Sequence, residues 1–295
     1  MIVTELYNGQ GLGNQLWCYA VTRTISLDLG FDFGIMSPHK FKGSEFMDID
    51  FGNPVMGGDG LEGGPPTSLP DSIVNYYREK KVNHPKHGYD ISPLDVNLIN
   101  VSDNTKIDGE MQAEDYIYHR KGEIIDWLKV EGKKTDNLCV IHFRGGDFVG
   151  AGTTLLPIEY YMNAINKMKE FHGNIDFAIV TDDSILANKY FPEIEIIGSS
   201  ITNQQDSKKA PHHIGGPVEI DYSILNNAEY LILSNSSFGW WAAWTNTHVK
   251  EVIAPKYWAR YNISEGHWSS GDSLTRDWIW LDRNGDCFDY NQCLE

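Results

Sequence analysis

His142, Arg144 and Asp147 close an apolar run at 138–143, with Gly145 and Gly146 between the arginine and the aspartate. A guanidinium can fork onto a diphosphate, which an ammonium would hold less directionally. The two glycines would clear side chains from the path of such an anion, and His142 could donate to a phosphate or ribose oxygen. The competing reading is a buried Arg–Asp pair beside a satisfied core histidine. Asp182 and Asp183 follow a second apolar run at 177–180. Paired aspartates could hold Mg²⁺ against a nucleotide diphosphate, one of them could accept from a nucleoside donor, or one could cap the next helix. Asn235, Ser236, Ser237 and Phe238 follow a third run at 230–233. Hydroxyls and amides at a helix start suit phosphate binding, whereas Trp240, Trp241 and Trp244 at helical spacing read as core. Gly11, Gly13, Asn14 and Gln15 form a glycine turn after the run that opens at Ile2. Such a turn brings backbone amides close to a phosphate or sugar. A dinucleotide fingerprint is not met, because Asn14 stands where its third glycine belongs.

The elements that must position these clusters are strands and helices in alternation. Each apolar run is of strand length and lacks polar alternation, as expected of parallel strands covered on both faces. Helix-like segments at 158–171 and 219–228 separate them, and another helix is expected to start near Gln15. Strand, polar loop and helix in series imply doubly wound α/β sheets. In such sheets ligands lie beyond the carboxyl ends of the strands, where every one of the clusters falls. A polar stretch at 130–137 marks a boundary between two α/β halves, 1–135 and 136–295. Two long loops are expected: 52–70, rich in Gly, Pro and Asp and suited to a lid or binding loop, and 198–217, carrying Lys208, Lys209, His212 and His213. The two histidines lack matching ligands for a metal.

The chain has 295 residues, with 24 Lys plus Arg against 41 Asp plus Glu and a net charge of −17. That balance excludes a nucleic-acid-binding face. An anionic ligand must then be held by local design. Four cysteines, Cys18, Cys139, Cys287 and Cys293, are too few for a disulfide framework; Cys287 and Cys293 are close enough to pair, but reduced thiols are expected. No run approaches the ~20 apolar residues of a membrane span, and the amino terminus lacks the pattern of a signal peptide. A cytoplasmic protein is expected.

Taken together, the clusters resemble glycosyltransferase family 11, the α-1,2-fucosyltransferases. Its Gly-Gly-Leu-Gly-Asn-Gln opening is matched from Gly11 to Gln15, with Gln10 in place of a glycine. The stretch Gly109 to Tyr116, holding Glu110, Gln112 and Glu114, looks like the Gly-Tyr-x-Gln-Ser-Glu-x-Tyr segment. The His-x-Arg-Arg-x-Asp motif is matched by His142, Arg144 and Asp147, with Gly145 replacing the second arginine. Thr181 to Asp183 matches Ser/Thr-Asp-Asp; Asn235 to Trp241 matches Asn-Ser-Ser-Phe-Ser-Trp-Trp with Gly239 as the single change; Ile253 to Trp258 follows. The resemblance implies a GT-B architecture, two Rossmann-like doubly wound domains facing across a cleft. It implies acceptor binding by 1–135, GDP-sugar binding by 136–295, and inverting, metal-independent transfer of L-fucose from GDP-β-L-fucose to a galactoside. No cofactor is implied. Arg144, His142 and Asp147 would be catalytic. Gly11, Gly13, Asn14, Gln15, Asp182, Asp183, Asn235, Ser236, Ser237 and Phe238 would join His142 and Arg144 in binding the donor. Glu110, Gln112 and Glu114 would face the acceptor. Lys256 or Arg260 could replace the missing arginine. The alternatives are another nucleotide-sugar donor or a catalytically weak glycan-binding relative.

Overall fold

The computed structural model describes residues 1–55, 73–83, 90–91, 94–150, 154–199, 218–257 and 274–294. Most of both expected loops, with Lys208, Lys209, His212 and His213, lies outside the described residues, as do Trp258 and Arg260. The chain divides into two compact units, Met1–Lys129 and the described residues from 130 onward. Both are α/β, and the main sheet of each is parallel except at one edge of the second.

In the first unit, β1 (Ile2–Glu5) leads into α1 (Leu12–Leu29) and β2 (Phe33–Met36), followed by β3 (Asn75–Arg78), β4 (Val82–Asn83), β5 (Asp90–Ile91), β6 (Thr105–Asp108) and α2 (Lys121–Trp127). The four long strands form a parallel sheet in the order β2-β1-β6-β3, and β4 pairs with β5 as a small antiparallel ribbon. Helix α1 starts at Leu12, earlier than the expected Gln15. Leu16, Trp17, Tyr19 and Val21 are buried on successive sides of it, as befits a helix enclosed on most faces. It stops at Gly30, whose φ of 71° is left-handed, and the Phe31 amide bonds back to the Ser26 carbonyl at 2.9 Å. Glycine is suited to that position because a Cβ there is penalised.

The second unit contains β7 (Thr135–Phe143), α3 (Ile158–His172), β8 (Asp176–Thr181), α4 (Ser184–Tyr190), β9 (Glu195–Ser199), α5 (Val218–Asn226), β10 (Ala228–Ile232), α6 (Ser237–Trp244), β11 (Glu251–Pro255), β12 (Ile279–Leu281), β13 (Cys287–Phe288) and α7 (Tyr290–Leu294). Its sheet runs β13-β12-β11-β10-β7-β8-β9, antiparallel only between β12 and β13. Strand β7 is central, and the apolar run 139–141 pairs with β10 on one side and β8 on the other. After β8 and β9 the chain returns to the opposite side of β7, so the strand order reverses between β7 and β10. That reversal is where α/β sheets open a crevice for ligands. Beneath the carboxyl end of β7, Phe143 packs on Tyr161 with ring centroids 5.3 Å apart and on Phe191 at 5.8 Å. The buried Tyr160 hydroxyl donates to the Leu233 carbonyl at 2.6 Å, tying α3 to the chain leaving β10. Trp240 stacks on Trp244 at 5.4 Å and donates its Nε1 hydrogen to Thr275 Oγ1, so the tryptophans are core, as expected. All four cysteines are free thiols. Among the described residues no helix is long and apolar enough to cross a membrane.

Candidate functional site

Because β10, β7 and β8 are neighbours, the segments that follow them share one edge of the second sheet. His142, in β7, meets Ser234 in the segment after β10, and Arg144, just beyond the strand, meets Asp182 in the segment after β8. The Arg144 guanidinium lies between two carboxylates, with Nη1 2.6 Å from Asp182 and Nη2 2.6 Å from Asp147. Asp182 is almost buried and also accepts the Gly145 amide hydrogen at 2.8 Å, whereas Asp147 is half-exposed. Burial pushes the Asp182 carboxyl above its ordinary range, and the Arg144 charge opposes that shift. Asp183 is engaged elsewhere, as the N-cap of α4, its Oδ1 accepting from the Leu186 amide at 3.0 Å. The two aspartates therefore do not converge as a pair. Among the described residues, no group of three or more His, Cys, Asp or Glu is placed to hold a metal ion.

The glycines after Arg144 have a reason that spacing alone does not reveal. A Cβ on Gly145 would lie 2.6 Å from the Asp183 Cβ, and one on Gly146, at φ +29°, would lie 2.4 Å from Asp182 Oδ2. They let the loop close on the aspartates. Lys256 is the described candidate to stand in for the missing arginine. It follows β11, two strands from β7, and its ammonium sits 3.2 Å from the ring centroid of Phe288 in β13.

His142 is 5% exposed, and its Nδ1 lies 3.2 Å from Ser234 Oγ. Burial, reinforced by the Arg144 charge, lowers its pKa to about 3. It is thus a neutral hydrogen-bonding group near neutral pH, able to orient an oxygen but not to serve as a cation. The Phe238 ring packs 5.9 Å from it. A Cβ on Gly239 would fall 2.3 Å from His142 Nδ1, so glycine at that helix position is what admits the imidazole. Buried Asn235 donates from Nδ2 to the Thr154 carbonyl at 2.8 Å and fixes the turn. Ser236 is the N-cap of α6, which begins at Ser237. The positive end of that helix thereby emerges beside Arg144's strand.

The remaining expected residues lie in the first unit. Gly11 is the N-cap of α1 in ordinary extended conformation, with nothing within 4 Å of an added Cβ, and Gly13 is buried in the first turn. Gln15 is wholly buried; its amide donates to the Lys40 carbonyl at 2.8 Å and accepts from the Lys42 amide at 2.9 Å, so it anchors the segment after β2. Asn14 Oδ1 accepts from Gln112 Nε2 at 3.1 Å. Both line a cavity of about 260 Å³ at the carboxyl ends of β1, β6 and β3, whose wall also includes Tyr7, Glu79, Asp108 and Glu110. Glu110 is exposed and paired with Lys81. Glu114 is buried and is not part of the cavity wall. Sequence reasoning misses Tyr7, Glu79 and Asp108; the only cue is that charged residues, Glu5, Lys106 and Asp108, interrupt runs that otherwise read as buried strand.

Fold and site thus define an α/β protein whose strand-order reversal point carries an arginine, a neutral histidine and a helix start. The Glycosyl transferase family 11 model matches residues 102–282, more than half of the chain, and the protein belongs to that family. The match includes the Gly109, His142, Thr181 and Asn235 segments but not Gly11–Gln15. An alpha-1,2-colitosyltransferase of Escherichia coli is 30% identical over 154 residues, covering 50% of this chain and 48% of the relative. The O-antigen biosynthesis glycosyltransferase WbnK, also of Escherichia coli, is 25% identical over 131 residues, or 41% and 39% of the two chains. The chain therefore spans about half the length of the curated relatives it matches, or less. A solved structure of NodZ alpha-1,6-fucosyltransferase soaked with GDP-fucose aligns over 85% of this chain and 93% of its own at 16% identity and a TM-score of 0.41, a likeness too remote to assign chemistry. Another NodZ structure, from Bradyrhizobium, gives 14% and 0.41 over 85% and 94%.

Proposed function

We propose that this glycosyltransferase moves L-fucose from GDP-β-L-fucose to a galactoside hydroxyl, O2 of galactose, with inversion and without a metal. In this reading the two units are the halves of a GT-B enzyme, with the donor on the second and the acceptor on the first. The observation that carries it is the cluster of Arg144, His142 and the start of α6 where the strand order reverses between β7 and β10. A diphosphate would take the place of Asp147 on Nη2 while Asp182 keeps the other edge of the guanidinium. Little is lost in that exchange, because a half-exposed ion pair contributes only about 0–1 kcal/mol. As the bond from the fucosyl C1 to the phosphate oxygen breaks, the acceptor oxygen bonds to C1 from the opposite face. Its proton passes to a carboxylate, and negative charge grows on the departing GDP. Arg144, the neutral His142 and the first-turn amides of α6 are suited to meet that charge as it develops, where preorganised donors act most strongly.

A second reading, transfer of a colitosyl group, is favoured by the 30%-identical relative and by Gly145 in place of the family's second arginine. The deciding experiment is a donor screen with GDP-fucose, GDP-colitose, GDP-mannose and UDP-sugars against galactosides, following released nucleotide. Turnover with GDP-fucose that survives EDTA, together with micromolar GDP binding, is the expected result. Preference for GDP-colitose selects the second reading, and a strict divalent-ion requirement removes the metal-free mechanism.

Restoring the family's arginine should not improve the enzyme. The Cβ of Gly145→Arg would press on Asp183, and such overpacking costs about 1–3 kcal/mol. A lower melting temperature with no gain in GDP affinity is expected. Tighter GDP binding at unchanged stability would show that the loop opens freely.

A further inference from the structure

The cavity of the first unit sits where the order of that sheet also reverses, between β1 and β6. Its volume of about 260 Å³ is below the roughly 300–1,000 Å³ of pockets for drug-sized ligands, so one sugar ring fits and a longer glycan must extend outward. Its lining combines apolar surface with charged and amide side chains, Arg78, Glu79, Lys81, Asp108 and Gln112 among them, and a wholly apolar guest would strip those groups of water without replacement. Glu79, Asp108 and Glu110 face it with three carboxylates against Arg78 and Lys81, and Lys81 is paired with Glu110. An acidic sugar would meet repulsion there, whereas hydroxyls would find acceptors.

Beneath the wall lies an ionic cluster. Lys106, fully buried, donates from Nζ to Glu5 at 2.6 Å and to the Tyr7 hydroxyl at 3.1 Å, and lies 3.6 Å from Asp108. The Tyr7 hydroxyl in turn donates to Asp108 Oδ1 at 2.7 Å. Both oxygens of Glu79 are engaged, by the Tyr116 hydroxyl at 3.0 Å and the Met111 amide at 2.8 Å. A carboxylate offers about four lone-pair sites; Asp108 takes hydrogen bonds from Tyr7 and Tyr76 and lies beside Lys106, so at least one site is left for a guest.

We infer that this cavity binds one neutral pyranose ring of the acceptor and that Asp108, oriented by Tyr7 and Lys106, accepts a hydrogen bond from one of its hydroxyls. The inference rests on the transferase reading above and adds the residues and the class of ring. Tyr7 and Lys106 are positioning residues in it.

The test uses the full chain with GDP-fucose and methyl β-D-galactopyranoside, measuring the acceptor KM and, separately, the GDP Kd. A hydrogen bond to a charged group sets the scale: Asp108→Asn should raise the acceptor KM about ten- to a hundredfold with the GDP Kd unchanged. Tyr7→Phe should move KM in the same direction by less, again without touching GDP, a split that a merely structural role would not produce. Should Asp108→Asn not fold, the Tyr7→Phe split decides. A folded Asp108→Asn with unaltered acceptor KM overturns the cavity assignment while leaving the transferase reading intact. Stronger inhibition by methyl galacturonide than by an equally sized neutral galactoside also overturns it. A wild-type chain that transfers to no galactoside from any donor overturns both.

Discussion

Arg144→Ala should abolish measurable GDP binding and lower turnover by at least about 10²–10³, the usual loss for one preorganised donor to a developing charge. The substitution removes the cation that bridges Asp147 and Asp182. It also strands Asp182, which is nearly buried. Breaking a fully buried ion pair by deleting one partner costs about 3–5 kcal/mol; the half-exposed Asp147 makes the lower end of that range the expectation here. Arg144→Lys separates charge from geometry. One ammonium cannot bridge two carboxylates and still present a planar fork to a diphosphate, so the lysine variant should recover stability better than GDP affinity. Titration calorimetry and thermal unfolding of both variants check this, and Arg144→Ala with wild-type GDP affinity would remove the residue from the donor site.

The largest stability effect is expected in the first unit. Lys106→Met leaves Glu5, 1% exposed, and Asp108 facing one another without their shared cation. A loss of about 3–5 kcal/mol is expected, read as a fall in the urea midpoint. Replacing Glu5 with Gln in the same chain should recover much of it, because the uncompensated charge is then gone. A Lys106→Met loss below about 1 kcal/mol would show that the cluster is solvated and does not pin Tyr7 or Asp108.

How much of this is legible in the residues depends on distance along the chain. Strands β7, β8 and β10 announce themselves as apolar runs, and their polar successors have to share an edge once the sheet is parallel. The roles within that edge are less accessible. What Gly145 and Gly146 pack against is hidden until the neighbouring strand brings Asp182 and Asp183 to them. Gly239 looks like a deviation from a family pattern until His142, nearly a hundred residues earlier, is seen filling the place of its Cβ. Gln15 belongs to a family motif, yet its amide is occupied by Lys40 and Lys42, beyond the end of α1. Lys106 and Glu5 are hidden for the same reason: only the register Val3↔Lys106 between β1 and β6 sets them side by side. Asp183, by contrast, does what its place before a helix allows, and caps it.

Amide hydrogen exchange of the full chain with and without GDP tests the donor site most directly. Slowed exchange should appear in peptides spanning 142–149 and 234–241, and Arg144→Ala should erase it. Slowing confined to peptides of the first unit, around Gly9–Gln15 and the cavity, would place the nucleotide on the other sheet and contradict the assignment.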